Sequence, residues 1–239
     1  MLDGWPVVLL GFVMQADAST ANPIDALLAS GKPVFGIFSE KTKESAEALS
    51  KNELVDFVFY DMEEGPFDVD GMKLFMQSLR RRPIVARLPP IRDGAEDAAK
   101  RAKLLVEAGV QGVVFPHVEN REQSEIAVRS MPPKGAEAPV GILIIEDRIG
   151  VENASKIVST PGVGIVFPGP GDLRRAYDGD AAAIERAIQT VLAACKENRV
   201  VCGITAGPHD IEKRLQEGFR VIIVTRPEAL AIGRRAANR

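Results

Sequence analysis

The chain lacks the residues that mark several common functions. Its two cysteines, Cys195 and Cys202, lie in no Cys-x-x-Cys pair and no Cys/His cluster, so a zinc site is not expected. Both sit in apolar stretches and read as small core residues. No basic run with interleaved aromatics occurs, and the net charge is −3, which argues against a nucleic-acid partner. With two Tyr and one Trp, aromatic stacking gives no clue to a ligand. The longest apolar run, from Trp5 to Met14, is too short to span a bilayer, so no stable membrane association is expected. No low-complexity linker divides the chain. Mild acidity leaves a small anionic substrate open, because one arginine or one metal ion can overrule it locally.

That apolar run, followed by Gln15-Ala-Asp-Ala-Ser19, resembles the core of a signal peptide with a small-residue cleavage site after Ala18. Against this, the preceding residues hold Asp3 and no Lys or Arg. Residues 1–21 therefore read as an N-terminal extension or a signal-like segment, and residues 22–239 as one domain. The protein is expected to be cytoplasmic, or exported if residues 1–18 are a signal peptide.

What the chain has in abundance is alternation. Short apolar runs at 34–39, 56–60, 83–87, 112–116, 140–146, 164–167, 200–204 and 220–224 read as strands. Charge-studded helical stretches separate them, at 43–51, 69–80, 95–108, 121–130, 151–158, 181–198, 211–217 and 228–237. Shorter helices fit at 25–30 and 172–177. Strands that are apolar throughout are strands buried on both faces, as in a parallel sheet covered by helices. Eight such units in 239 residues predict a (β/α)8 TIM barrel; a doubly wound open sheet is the runner-up.

Barrel chemistry sits at the C-terminal strand ends. There the sequence carries Tyr60-Asp-Met-Glu-Glu-Gly-Pro66, Arg87-Leu-Pro-Pro90, Pro116-His-Val-Glu119, Glu146-Asp147 and Pro168-Gly-Pro-Gly-Asp-Leu173. Glu146 and Asp172, at the ends of adjacent strands, can share one hard divalent ion, which a 2-oxo acid would chelate. Taken singly, Glu146 can instead pair with Arg148, and Asp172 can cap the helix after Gly171. The glycines before that helix let a ligand carboxylate approach the backbone. Arg87 needs a partner, either a ligand oxygen or Asp61 or Glu63 across the mouth.

Together these pieces, with Pro33-Val-Phe-Gly-Ile-Phe38, Glu107-Ala-Gly-Val-Gln-Gly112 and Gly150-Val-Glu-Asn153, resemble the HpcH/HpaI family of class II pyruvate aldolases. The likeness runs from about residue 22 to about residue 231. It implies a (β/α)8 TIM barrel of the phosphoenolpyruvate/pyruvate type that makes and breaks a carbon–carbon bond between a 2-oxo acid such as pyruvate and an aldehyde. The implied cofactor is Mg, Mn or Co, and the implied assembly a homo-oligomer, hexamer or trimer, with the last helix exchanged. By motif, Glu146 and Asp172 match the metal carboxylates and Arg87 the arginine on the enolate oxygen. Gly171 and Asp172 match the carboxylate-binding backbone, and Asp61 the first residue of an Asp-x-Glu-His motif.

The departures fall on proton transfer. Glu64 stands where that motif has its catalytic His, Glu107 replaces an Asp, and the long loop before the fifth strand is missing. Glu64 can serve as the base, or His117 can lean over the mouth. His117 can equally be a loop residue bonded to Glu119. His209 reads as a turn residue beside a helix start. Two alternatives stay open beside the aldolase: another lyase reaction through the same enolate, or a metabolite-binding barrel without catalysis.

Overall fold

The computed structural model describes residues 21–80, 82–135 and 137–239; the signal-like stretch at residues 1–18 lies outside them. Eight parallel strands close in sequence order into a barrel, the eighth pairing with the first. They are β1 (Val34–Phe38), β2 (Phe57–Asp61), β3 (Ile84–Arg87), β4 (Gly112–Phe115), β5 (Val140–Ile145), β6 (Ile165–Pro168), β7 (Val201–Ala206) and β8 (Val221–Val224). The open-sheet alternative is excluded.

Strand periodicity divides each strand between two cores. Phe57, Phe59, Val85, Val114, Ile142, Ile144, Ile165, Phe167, Val221 and Ile223 fill the lumen. Val58, Tyr60, Ala86, Val113, Leu143, Val166 and Ile222 face the helices. Large rings need room inside so narrow a barrel. Gly36 provides it for Phe57 and Gly203 for Phe167, since a Cβ at either would collide with the facing ring.

The helix α1 (Pro23–Ala29) closes the N-terminal end, with Ile24 buried in the lumen cluster. Asn22 caps it and donates to the carbonyls of Gln111 and Ala138 below β4 and β5. The outer ring is α2 (Lys43–Ser50), α3 (Val69–Leu79), α4 (Ala95–Glu107), α5 (Arg121–Ser130), α6 (Arg148–Glu152), α7 (Ala154–Val158), α8 (Pro170–Ala176), α9 (Ala181–Asn198), α10 (Ile211–Glu217) and α11 (Glu228–Ala236). Gly109 ends α4 with φ of +87°, a left-handed turn that favours glycine. The helix expected at 151–158 is two helices meeting at Asn153, whose side chain bonds back to the carbonyls of Glu119 and Ile149. No described helix is long and apolar enough to cross a membrane.

In this chain α11 lies on its own barrel, with Ala229 and Leu230 fully buried. Gly233 passes close over Phe35 of β1 and Ile211. Arg234 and Arg239 then both bind the Asp56 carboxylate just before β2, tying the C-terminus to the barrel floor. Its basic end thus has a partner within the chain.

Candidate active site

The mouth is built by three local devices. The first is the turn after β2. Asp61 pairs in register with Arg87 of β3. Its Oδ1 accepts the Glu63 N–H at 3.0 Å, while the Met62 N–H donates to the Arg87 carbonyl. That fold keeps Asp61 and Glu63 on one side and buries Met62 on the other. Glu64 comes next and is exposed, with no ion pair or hydrogen bond among those of the described residues. The turn therefore brings Glu63, not Glu64, to the other site residues.

The second device follows β4. Phe115 pairs with Leu143, and Val118 donates to the Ile144 carbonyl one residue further along β5. Pro116 and His117 bulge out of the ladder between them. His117 takes φ of +55°, unusual for a side-chain-bearing residue. Its N–H donates to Glu146 Oε1 at 3.0 Å, and its ring is buried in the mouth. Pairing with Glu119 does not occur; Glu119 stands near Arg92 instead.

The third device is the close approach of β5 and β6. Glu146 follows β5 and is 2% exposed. Gly169 follows β6, and a Cβ there would stand 2.7 Å from Glu146 Cβ and nearer still to its Oε2. Asp147 caps α6 by accepting the Gly150 N–H. Asp172 lies in the first turn of α8, paired with the exposed Arg175. Gly171 borders open space. The Gly171 and Asp172 N–H groups, at the start of α8, have no partner inside the helix.

The charges interlock. Arg87 Nε binds Asp61 Oδ1 at 2.8 Å and Nη2 binds Oδ2, while Nη1 lies 2.6 Å from Glu63 Oε2. Burial alone would raise the Asp61 pKa, yet the Arg87 fork holds it below the usual carboxylate range. His117 Nε2 is 3.4 Å from Glu63, 3.7 Å from Glu146 and 3.9 Å from Asp172. His117 Nδ1 faces Asp147 Oδ2 at 3.6 Å, beyond hydrogen-bond length, so neither atom has a hydrogen-bond partner. Burial opposes the imidazolium, but Asp147, Glu63 and Glu146 outweigh it and lift the His117 pKa to about 9. Burial drives the Glu146 pKa upward, with Glu63 and Asp172 adding repulsion.

Arg87, Asp61, His117, Glu146 and Asp172 thus meet at one mouth. Glu64 stays outside the cluster, and His209 is exposed in the turn before α10. Sequence reading did not assign Glu63 and Asp147 to the site. The alternation Asp61-x-Glu63 was a signal for the first, and the helix-capping position before Gly150 for the second.

The sequence pattern of the HpcH/HpaI aldolase/citrate lyase family matches residues 35–225, which span the barrel and every residue of this mouth. The chain belongs to that family. It is 30% identical to a hydroxypyruvate/pyruvate aldolase from Delftia acidovorans, over 85% of this chain and 86% of the relative. An HpcH/HpaI aldolase/citrate lyase family protein from Burkholderia cenocepacia superposes with a TM-score of 0.75 and 24% identity, covering 91% of this chain and 98% of that one. The citrate lyase beta subunit of M. tuberculosis, solved with oxaloacetate and magnesium, superposes at 0.65 and 18% identity, over 87% and 98%. This family member is a lyase, and dependence on a divalent metal is a property of its family.

Proposed function

We propose that this lyase makes or breaks a carbon–carbon bond at the enolate of a 2-oxo acid such as pyruvate, with an aldehyde as second partner. The observation that carries the reading is the convergence of Glu146 and Asp172. Two carboxylates from neighbouring strand ends approach one point, His117 Nε2, beneath open space at Gly171. Among the described residues the His117 N–H is the one hydrogen-bond donor to Glu146, and a buried carboxylate so thinly paired suits a hard cation. The residues present therefore fit an ion of the Mg, Mn or Co class, held by Glu146 and Asp172. Such an ion supplies Lewis-acid stabilisation of charge developing on a chelating 2-oxo acid.

This chain's own residues do the rest. Gly171 has no side chain to block a ligand carboxylate, and its N–H and that of Asp172 can receive it. Asp61 holds the Arg87 guanidinium in plane through two bonds and leaves N–H donors on Nη1 and Nη2 for the developing enolate oxygen. Proton transfer falls to Glu64, at the family's His position and open to a ligand above the mouth, or to His117 inside it. The protein is proposed to act as a homo-oligomer, hexamer or trimer.

The test is exchange of the methyl protons of pyruvate in deuterated water, followed by proton NMR with manganese, magnesium or cobalt. Exchange should require the ion and vanish in Glu146→Gln with Asp172→Asn. Exchange without added aldehyde but no cleavage of any 4-hydroxy-2-oxo acid would favour another enolate reaction. Tight ion binding without any exchange would reduce the chain to a binding protein.

A further inference from the structure

We propose that His117 is itself a ligand of the divalent ion, through Nε2, so that the centre takes one imidazole nitrogen besides the Glu146 and Asp172 carboxylates and prefers cobalt or zinc to magnesium. This rests on the reading of Glu146 and Asp172 as ion ligands.

Geometry carries it. Ligand atoms about 2.1 Å from a shared octahedral ion stand roughly 3.0 Å apart when adjacent and 4.2 Å apart when opposite. His117 Nε2 lies 3.7 Å from Glu146 Oε1, 3.9 Å from Asp172 Oδ1 and 3.4 Å from Glu63 Oε1. All three lie between those two values, so an ion shared with Nε2 needs side-chain shifts of about half an ångström. Ligand atoms of Glu63, His117 and Glu146 lie within 4.8 Å of one another, and Asp172 stands beside that group through its 3.9 Å approach to His117 Nε2. Glu63 Oε1 is buried without a hydrogen-bond partner, while its other oxygen is taken by Arg87.

The surroundings of the ring fit the same role. A metal-binding histidine commonly turns its second nitrogen to a carboxylate, which fixes tautomer and ring orientation. Here Nδ1 faces Asp147, and Asp147 is held in turn by the Gly150 N–H. The His117 side chain is 7% exposed, and the left-handed bulge at its backbone aims it inward. A nitrogen ligand matters because imidazole suits zinc, copper, iron and nickel, whereas magnesium takes oxygen. Ligation would also leave Glu64 as the proton-transfer candidate.

The test uses the full chain loaded with Mn(II). Electron spin-echo envelope modulation should show a directly bound nitrogen in the wild type and none in His117→Asn. Asparagine tolerates the left-handed backbone, and the wild-type signal stands by itself if the variant does not fold. Calorimetric titration should show the wild-type preference for Co(II) over Mg(II) falling about tenfold or more in His117→Asn. Asp147→Asn keeps the helix cap and should weaken Co(II) binding about 10- to 100-fold by loosening the ring. Mn(II) binding that Glu146→Gln abolishes, but with no nitrogen modulation, overturns the proposal and leaves the carboxylate site standing. A wild type that binds neither Mn(II) nor Co(II) overturns both.

Discussion

Two glycines separated by one residue, Gly169 and Gly171, should respond to the same substitution in opposite ways. At Gly169 an added methyl meets Glu146 Oε2 and, at 2.7 Å, Glu146 Cβ. The carboxylate oxygen can swing away, but Cβ moves only with the backbone of β5. The backbone at Gly169 has φ of −95°, so alanine there suffers from contact and not from conformation. Overpacking of this kind costs about 1–3 kcal/mol, and at roughly 2–4 °C per kcal/mol the melting temperature should fall by several degrees. The displaced group is the proposed ion ligand. Ion at about 100 times its dissociation constant would raise the wild-type melting temperature by about 5–10 °C, and Gly169→Ala should lose most of that rise. At Gly171 an added methyl meets nothing within 4 Å. Gly171→Ala should leave stability unchanged or gain up to about 1 kcal/mol from lost chain entropy, and should keep the full response to the ion. What it should lose is the further rise caused by pyruvate with manganese, because the methyl fills the space of the ligand carboxylate. Differential scanning fluorimetry of the two variants, with and without manganese and pyruvate, decides it. An intact manganese response in Gly169→Ala would refute the placement of the ion on Glu146. An intact pyruvate response in Gly171→Ala would refute the placement of the ligand.

Arg87→Lys keeps the charge but loses the fork that grips Asp61, so 2-oxo acid binding measured by calorimetry should weaken roughly tenfold or more; unchanged affinity would make Arg87 a structural bridge only. Away from the mouth, hydrogen bonds from Arg214 hold the Glu185 carboxyl down at about 2. A folded pKa below the unfolded one gives stability that is complete above about pH 4.5 and lost as pH falls through about 2. With Glu185 partly exposed, the gain is roughly 1 kcal/mol or less; the melting-temperature gap between wild type and Glu185→Gln should shrink steadily from pH 5 to pH 2, and a constant gap would remove the pair from the account. Light scattering of dilute protein should give a multiple of 25.8 kDa, three- or sixfold; a mass near the chain's own would refute the oligomer.

The barrel was legible because its strands are apolar on both faces and its helices are not, a contrast that survives errors of a residue at each end. Local chemistry was legible where it depends on one residue type at one strand end, as at Arg87 and Glu146. It was not legible where backbone geometry chooses between neighbours. Glu63 and Glu64 are the same residue type, and only the turn closed by Asp61 Oδ1 decides which one faces the mouth. His117 is one residue past a short strand, where a loop reading is natural. What places its ring inside is a bulge between two ladder bonds, and Pro116, having no N–H to pair, suits that bulge. The break at Asn153 is of the same kind, a side chain competing for backbone carbonyls in mid-helix.

The same geometry explains why the mouth can change while the barrel does not. The lumen below is filled by Phe57, Phe59 and Phe167, and it meets the site where the Arg87 guanidinium lies over the Phe59 ring. The mouth holds buried carboxylates that cost stability: Glu146 lies beneath Gly169 with its pKa driven up, and four carboxylates crowd around the His117 ring. A bound cation would relieve that cost directly, since it stabilises the carboxylates in the folded chain and has no such pocket in the unfolded one. Ion binding and folding would then draw on the same side chains. The His117 ring is accommodated because the carboxylates it meets favour positive charge. Glu64 touches none of them, having no described contact with the cluster. A substitution at Glu64 should therefore leave ion binding and stability unchanged, and one at Glu146 should change both.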